Sequence, residues 1–197
     1  MTTEHSTRRL GAPDSRTRAI LVDAAEQLLL DEGYAAVTSR RVGSAAGLKP
    51  QLVHYYFRTM DDLFVEVFRR RAEENLGRFE RMVAGGCSIA DLWRFNADLR
   101  GARFNIEFAA LANHRKAIRT EIARYAERFR AAVLEALGAA LAAAGVDPER
   151  VPPVVALLVM TGLSQVMAIE GELGVSAGHA ETTAFVEDLV ARLGDHG

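Results

Sequence analysis

The sequence predicts an all-α fold, and three observations predict it. Apolar residues recur at spacings of three and four over long stretches, as at Ile118, Ile122, Tyr125, Phe129, Val133, Leu137 and Leu141. No segment alternates apolar and polar residues between hairpin turns. Glycine, proline and short polar clusters punctuate the periodic stretches where helices would end.

From about Pro13 to Glu32, Ile20, Ala24 and Leu28 pair with Leu21, Ala25 and Leu29 as one apolar stripe, which Gly33 terminates. A short helix follows Thr38, whose hydroxyl can cap the free amides; it is expected to bury Val42, Ala45 and Ala46 and to end at Gly47. A third runs from about Lys49 to Tyr55, with Pro50 in its first turn and Leu48, Val53 and Phe57 facing inward. Thr59-Met60-Asp61-Asp62 has the form of a capping box and opens a longer helix carrying Leu63, Val67 and Phe68, which ends near Gly85-Gly86. A first domain over 1–60 and a second over 61–197 are expected. The second should hold further helices near 88–98, 101–114, 116–144, 152–172 and 179–194.

At 197 residues and 49% hydrophobic content, the chain can bury a sizeable core. Its single cysteine, Cys87, excludes a disulfide framework or a CxxC site, and its place beside Gly85-Gly86 suits a loop or helix start. The opening MTTEHSTRRLGAPDS lacks the apolar core of a secretory signal, so a cytoplasmic protein is expected. Val151 to Ile169 runs 19 residues without a charge. It begins at a proline pair and carries Thr161, Gly162, Ser164 and Gln165, which favours a helix buried on both faces over a membrane span. The net charge of −2 argues against a nonspecific polycation, yet residues 1–60 hold eight basic against six acidic side chains.

Residues 38–63, TSRRVGSAAGLKPQLVHYYFRTMDDL, place two short helices around Ala46-Gly47-Leu48. That is the length and turn chemistry of a helix-turn-helix, whose second helix enters the major groove. With Gly33-Tyr34, Thr38, Ala45-Ala46-Gly47-Leu48, His54-Tyr55-Tyr56-Phe57 and Asp61-Asp62-Leu63, the segment resembles the TetR family of transcriptional repressors. The resemblance covers the first quarter to third of the chain in detail and implies a DNA-binding regulator. It departs at Met60, where the family usually has a lysine that reaches a backbone phosphate; Arg58 is a possible substitute.

The residue types suit that role. Lys49 and the start of its helix offer positive charge to phosphate or a guanine edge, and Gln51 can pair with adenine through two hydrogen bonds. His54 lies three residues further on the same face; Leu52 can pack on a thymine methyl, beside Pro50. Thr38, Tyr55 and Tyr56 can donate hydroxyls to phosphate, and Arg40 and Arg41 can reach backbone or base edges. Arg8, Arg9, Arg16 and Arg18 form a possible arm along the backbone or a narrow minor groove. The double-stranded operator is thus the first expected partner. A solvated polar face with an aromatic core corner is the alternative, and it suits Phe57 and one tyrosine best.

The second domain is expected to bind a small hydrophobic or amphipathic effector. Candidate lining residues are Trp93, Phe95, Phe104, Phe108, Leu111, Phe129, Met160, Leu163 and Met167. Asn96, Asn105, Glu107, Asn113 and Gln165 are possible polar anchors. The same aromatic and methionine stripe equally suits an ordinary bundle core. The last two helices resemble the family's dimerisation pair, with Val154, Leu158, Thr161, Gly162, Gln165 and Val166 on one and Phe185, Val186, Leu189 and Val190 on the other. No cofactor, metal or membrane partner is expected, and a homodimer is. An enzyme is disfavoured: no histidine has a glutamate three residues before it, as di-iron bundles need, and there is no HExxH, GxSxG or phosphate-binding glycine loop. A helical adaptor that binds protein and not DNA is the surviving rival.

Overall fold

The computed structural model describes residues 15–97 and 99–194, and every regular element among them is helical. In chain order these are α1 (Arg16–Glu32), a 3-10 turn (Tyr34–Ala36), α2 (Ser39–Ala45), α3 (Gln51–Tyr56), α4 (Met60–Ala84), α5 (Ile89–Asn96), α6 (Leu99–Ala112), α7 (Lys116–Ala143), α8 (Pro153–Glu172) and α9 (His179–Gly194). Two compact units result: one holds the chain up to Arg71 with Glu107–Glu121, the other Ala72–Ile106 with Ile122 onward. The sequence boundary at residue 60 is the start of α4, whereas packing carries the first unit one-half of that helix further and adds a distant helical corner.

In the first unit, Ser15 caps α1 by accepting the Arg18 N–H at 3.2 Å, and Gly33 ends it at φ +82°, a conformation natural to a residue without Cβ. Leu21, Val22, Ala25 and Leu29 are buried, while Ile20 is 36% exposed, so only half of the expected stripe faces the core. Thr38 caps α2 as expected, accepting the Arg41 N–H at 3.3 Å. The inner residues of α2 are Val42 and Gly43, not Ala45, which is exposed. The reason is spatial: a Cβ on Gly43 would stand 3.0 Å from the Pro50 backbone, so this side of the helix, and not the next, lies against the turn. Val53 and Phe57 anchor α3, and Leu48 is half-buried.

The capping box of α4 forms. The Thr59 N–H donates to Asp62 at 3.0 Å and the Asp62 N–H to the Thr59 hydroxyl at 3.1 Å. Leu63, Phe64, Val67 and Phe68 then fill the core, where Phe68 meets Phe108 with ring centres 5.2 Å apart. The corner between α6 and α7 is fastened by charge. Arg69 forks onto Glu121 through two hydrogen bonds of 2.9 Å, and Glu121 is only 7% exposed. Removing the guanidinium takes two charged hydrogen bonds from a buried carboxylate, so Arg69→Ala is expected to cost ~1–2 kcal/mol in urea unfolding, with Arg69→Lys recovering only part because it lacks the planar fork.

In the second unit, Ser88 and Asp91 form a reciprocal capping box that starts α5. Cys87 stands just ahead of it, its thiol pKa pushed up by burial and by the Asp91 charge. Phe79, Leu92, Trp93, Val133, Leu137, Leu141, Val186 and Val190 form the core, with Phe95, Phe129, Met160, Leu163 and Met167 packed against it. The burial expected for α8 is met only in part by its own chain. This helix is not buried on both faces within its chain: Ser164 and Ala168 are its buried residues, while Val154, Val155, Leu158, Val159, Val166 and Ile169 are 41–55% exposed. It is long and apolar enough to cross a membrane by length and composition alone. Within its own chain α8 packs against α5 and, through Ala156, Leu157, Met160, Leu163 and Met167, against the core of its unit.

Candidate nucleic-acid interface

The helix-turn-helix is closed by two glycines with different jobs. Gly47 takes φ +64°, which a side chain would strain, and lets the chain reverse after α2. Gly43 instead yields space, so that the Leu48 carbonyl and the Pro50 backbone approach α2 closely; the Leu48 N–H donates to the Gly43 carbonyl at 2.8 Å. Sequence reasoning passed over Gly43 because nothing local to it signals a partner five to seven residues away.

With Val53 and Phe57 turned inward, the opposite side of α3 faces out. Gln51, His54 and Tyr55 are exposed, Leu52, Pro50 and Tyr56 half-buried, and Lys49 is exposed just before the helix. Tyr55 and Tyr56 meet edge to face at 5.0 Å, which fixes both rings. Thr38 and Arg40 are exposed at the start of α2. Thr38 uses a lone pair to cap α2, so its O–H remains able to donate to a phosphate oxygen. Among the described residues no carboxylate pairs with Arg40, Lys49 or Arg58.

Two arginines are differently placed. Arg41 is exposed but bonded to Glu32 at 2.5 Å, an ion pair that lowers the glutamate pKa and must be exchanged before Arg41 can hold a phosphate. Arg18 is occupied within the fold: it donates to Glu66 at 2.6 Å, holding that carboxyl below its usual range, and lies over the Phe57 ring at 5.0 Å. It therefore supports α3 from behind and does not extend as an arm. Arg16 is exposed, and Arg8 and Arg9 lie outside the described residues. Glu107, considered from sequence as a ligand anchor, accepts the Tyr34 N–H at 2.9 Å and sits against Gly33, holding the turn that leads into α2.

Residues 21–67 match the family model described as bacterial regulatory proteins, tetR family. The helix-turn-helix segment is thus similar to the tetR family's DNA-binding region. The chain also matches the HTH-type transcriptional regulator BetI of Rhizobium meliloti (strain 1021), 38% identical over 52 residues. That match covers 26% of this chain and 26% of BetI, so it spans about a quarter of the relative's length. A protein of Rhodococcus sp. solved as a TetR-family transcriptional regulator superposes with a TM-score of 0.70 at 18% identity, over 89% of this chain and 99% of that one. A transcriptional regulator from Saccharomonospora viridis, solved in complex with choline, gives 0.69 at 18% identity over 86% and 95%. These structural likenesses extend the tetR-family fold beyond the matched segment.

The second unit contains a cavity of about 640 Å³. Of the residues suggested for an effector site, Trp93 and Met167 line it. Phe95, Phe129, Met160 and Leu163 pack against the core of this unit, Phe104 is buried, and Phe108 and Leu111 are buried in the first unit. Asn96 donates to the Ser164 hydroxyl at 3.3 Å, while Asn105, Asn113 and Gln165 are exposed. For the suggested dimer surface, Val154, Leu158, Gly162, Gln165, Val166, Phe185 and Leu189 are exposed and Thr161 is half-buried; Val186 and Val190 belong to the core.

Proposed function

We propose that the chain is a cytoplasmic, non-enzymatic transcriptional regulator that represses by occupying a near-palindromic operator as a homodimer and leaves it when a small effector binds. The observation that carries this reading is the outward face of α3, with Gln51 and His54 free of partners among the described residues and Lys49, Arg40 and Arg58 around it. Cations position such a helix on phosphates, and Gln51 and His54 read base edges. The Met60 departure leaves the acidic start of α4 without a neighbouring lysine, and exposed Arg58 supplies the phosphate charge there.

The open faces of α8 and α9 favour a second copy as their cover, since a twofold axis joins two identical apolar patches and sets two recognition helices about one DNA turn, ~34 Å, apart. An effector in the second unit then acts by preferring the protein state whose α3 spacing misfits the groove, a coupling typically worth ~1–3 kcal/mol. Because α4 contributes to both units, it is the element through which that preference is expressed.

The test begins with selection of operators from genomic fragments, followed by affinity measurement with Gln51→Ala, His54→Ala. Loss of two base contacts is expected to weaken operator binding by ~10²- to 10⁴-fold while leaving binding to unrelated duplex nearly unchanged. Equal affinity of the variant and wild type for the selected operator would remove α3 as the reading element.

A further inference from the structure

An acidic side chain stands inside the basic edge of the candidate DNA interface. Glu32 is the last residue of α1, and Arg41 lies nine residues on, in the first turn of α2. The Arg41 guanidinium donates to the Glu32 carboxylate at 2.5 Å, although the two side chains are 44% and 47% exposed. This sets Arg41 apart from Arg40, Lys49 and Arg58, which have no carboxylate partner among the described residues.

The fold gains little from this arrangement. A carboxylate in the last turn of α1 faces the negative end of the helix dipole, and that turn holds no basic residue to offset it. An exposed ion pair adds little to stability, since water solvates both charges nearly as well. The adjacent acidic residue, Asp31, is engaged elsewhere: it accepts from the Gln27 amide at 2.8 Å. Of two neighbouring carboxylates at one helix end, only Glu32 therefore holds an arginine.

What the pair does change is the positive charge on offer to DNA. A guanidinium held by a carboxylate neutralises no phosphate and releases no counterion until it lets go. Phosphate contacts add affinity without reading sequence, so the competition falls on the part of binding common to every duplex. Resting on the reading of α2 and α3 as the DNA-binding surface, we propose that Glu32 is an electrostatic brake on that surface. Its carboxylate competes with DNA phosphate for Arg41 and keeps the hold on any duplex weaker than the arginines alone would give. The competitor is part of the chain, so dilution does not remove it.

The experiment measures fluorescence anisotropy of the selected operator and of an unrelated duplex at ~50 and ~200 mM salt. Wild type is compared with Glu32→Gln, Asp31→Asn, Arg41→Ala and the double variant Glu32→Gln, Arg41→Ala. Glu32→Gln is expected to tighten both duplexes by ~3-fold or more at the lower salt, with thermal unfolding unchanged. Freeing one arginine for a phosphate should also steepen the dependence of log affinity on log salt by ~0.9 per subunit. Asp31→Asn removes the same charge from the same helix end without freeing an arginine, so its gain should be smaller and its salt dependence that of wild type. In the Arg41→Ala background, Glu32→Gln should do no more than Asp31→Asn does. Equal effects of Glu32→Gln and Asp31→Asn, or a steeper salt dependence that survives in Arg41→Ala, overturn the proposal. A wild type that binds neither duplex removes the DNA-binding reading and this brake with it, whereas operator binding that Glu32→Gln fails to tighten removes the brake alone.

Discussion

Leu158→Lys combined with Phe185→Lys is expected to convert the protein to a folded monomer that no longer holds its operator. Leu158 is 52% and Phe185 68% exposed, so neither contributes much to the core of its own chain, and circular dichroism should be unchanged. In the proposed dimer both are covered, and twofold symmetry makes each substitution count twice. Burying an unpaired ammonium in place of an apolar contact costs several kcal/mol, so dissociation should strengthen by ~10³-fold or more. Sedimentation at micromolar concentration reads this directly. Unchanged assembly in the variant would mean that another surface joins the subunits. Binding of wild type, but not the variant, to vesicles would give the apolar face of α8 to a membrane.

Gly43 gives the second large expectation. A Cβ there would meet the Pro50 backbone at 3.0 Å and the Leu48 carbonyl at 3.1 Å, distances that demand a shift of a few tenths of an ångström. Gly43→Ala gains helix propensity of roughly 0.5–1 kcal/mol, which offsets that strain, and should be close to neutral. Gly43→Val adds two methyl groups beyond the same point and has no such compensation. It is expected to cost ~1–3 kcal/mol and to displace α3, weakening operator binding more than it weakens the fold as read by thermal unfolding. If Gly43→Val matched wild type in both measurements, the turn would not be packed against α2 as described.

What the sequence disclosed follows the range of the interactions involved. Thr38, Gly47 and the Thr59–Asp62 box act within three or four residues, so their roles were legible from local spacing. The outward set on α3 was legible for the same reason, because Val53 and Phe57 fix the inner face of a six-residue helix. Glu107 holding Tyr34 links residues 73 positions apart, and Arg18 holding Glu66 links residues 48 apart; no periodicity encodes either. The charge-free run of α8 was visible as apolar, but an apolar helix reads alike whether its own chain or a second molecule covers it. Hence burial was expected from the sequence, and only the structure tells which residues the helix's own chain leaves open. The cavity was obscured differently: aromatic residues drew attention, yet Phe95 and Phe129 pack on the core while Glu172, Glu187 and Arg103 reach the opening. Size and apolarity mark core and pocket alike, and only three-dimensional placement separates them.

The central claim is that this protein grips duplex DNA through phosphates and reads it with α3. Fluorescence anisotropy of the selected operator at ~50 and ~200 mM salt tests it most directly, because each phosphate contact releases counterions. With Arg40, Lys49 and Arg58 on each of two subunits, about six contacts are available, and wild-type affinity is predicted to fall by ~10³-fold between the two conditions. Affinity that is weak, independent of salt and the same for unrelated duplex would contradict the account and give the α3 surface to a protein partner instead.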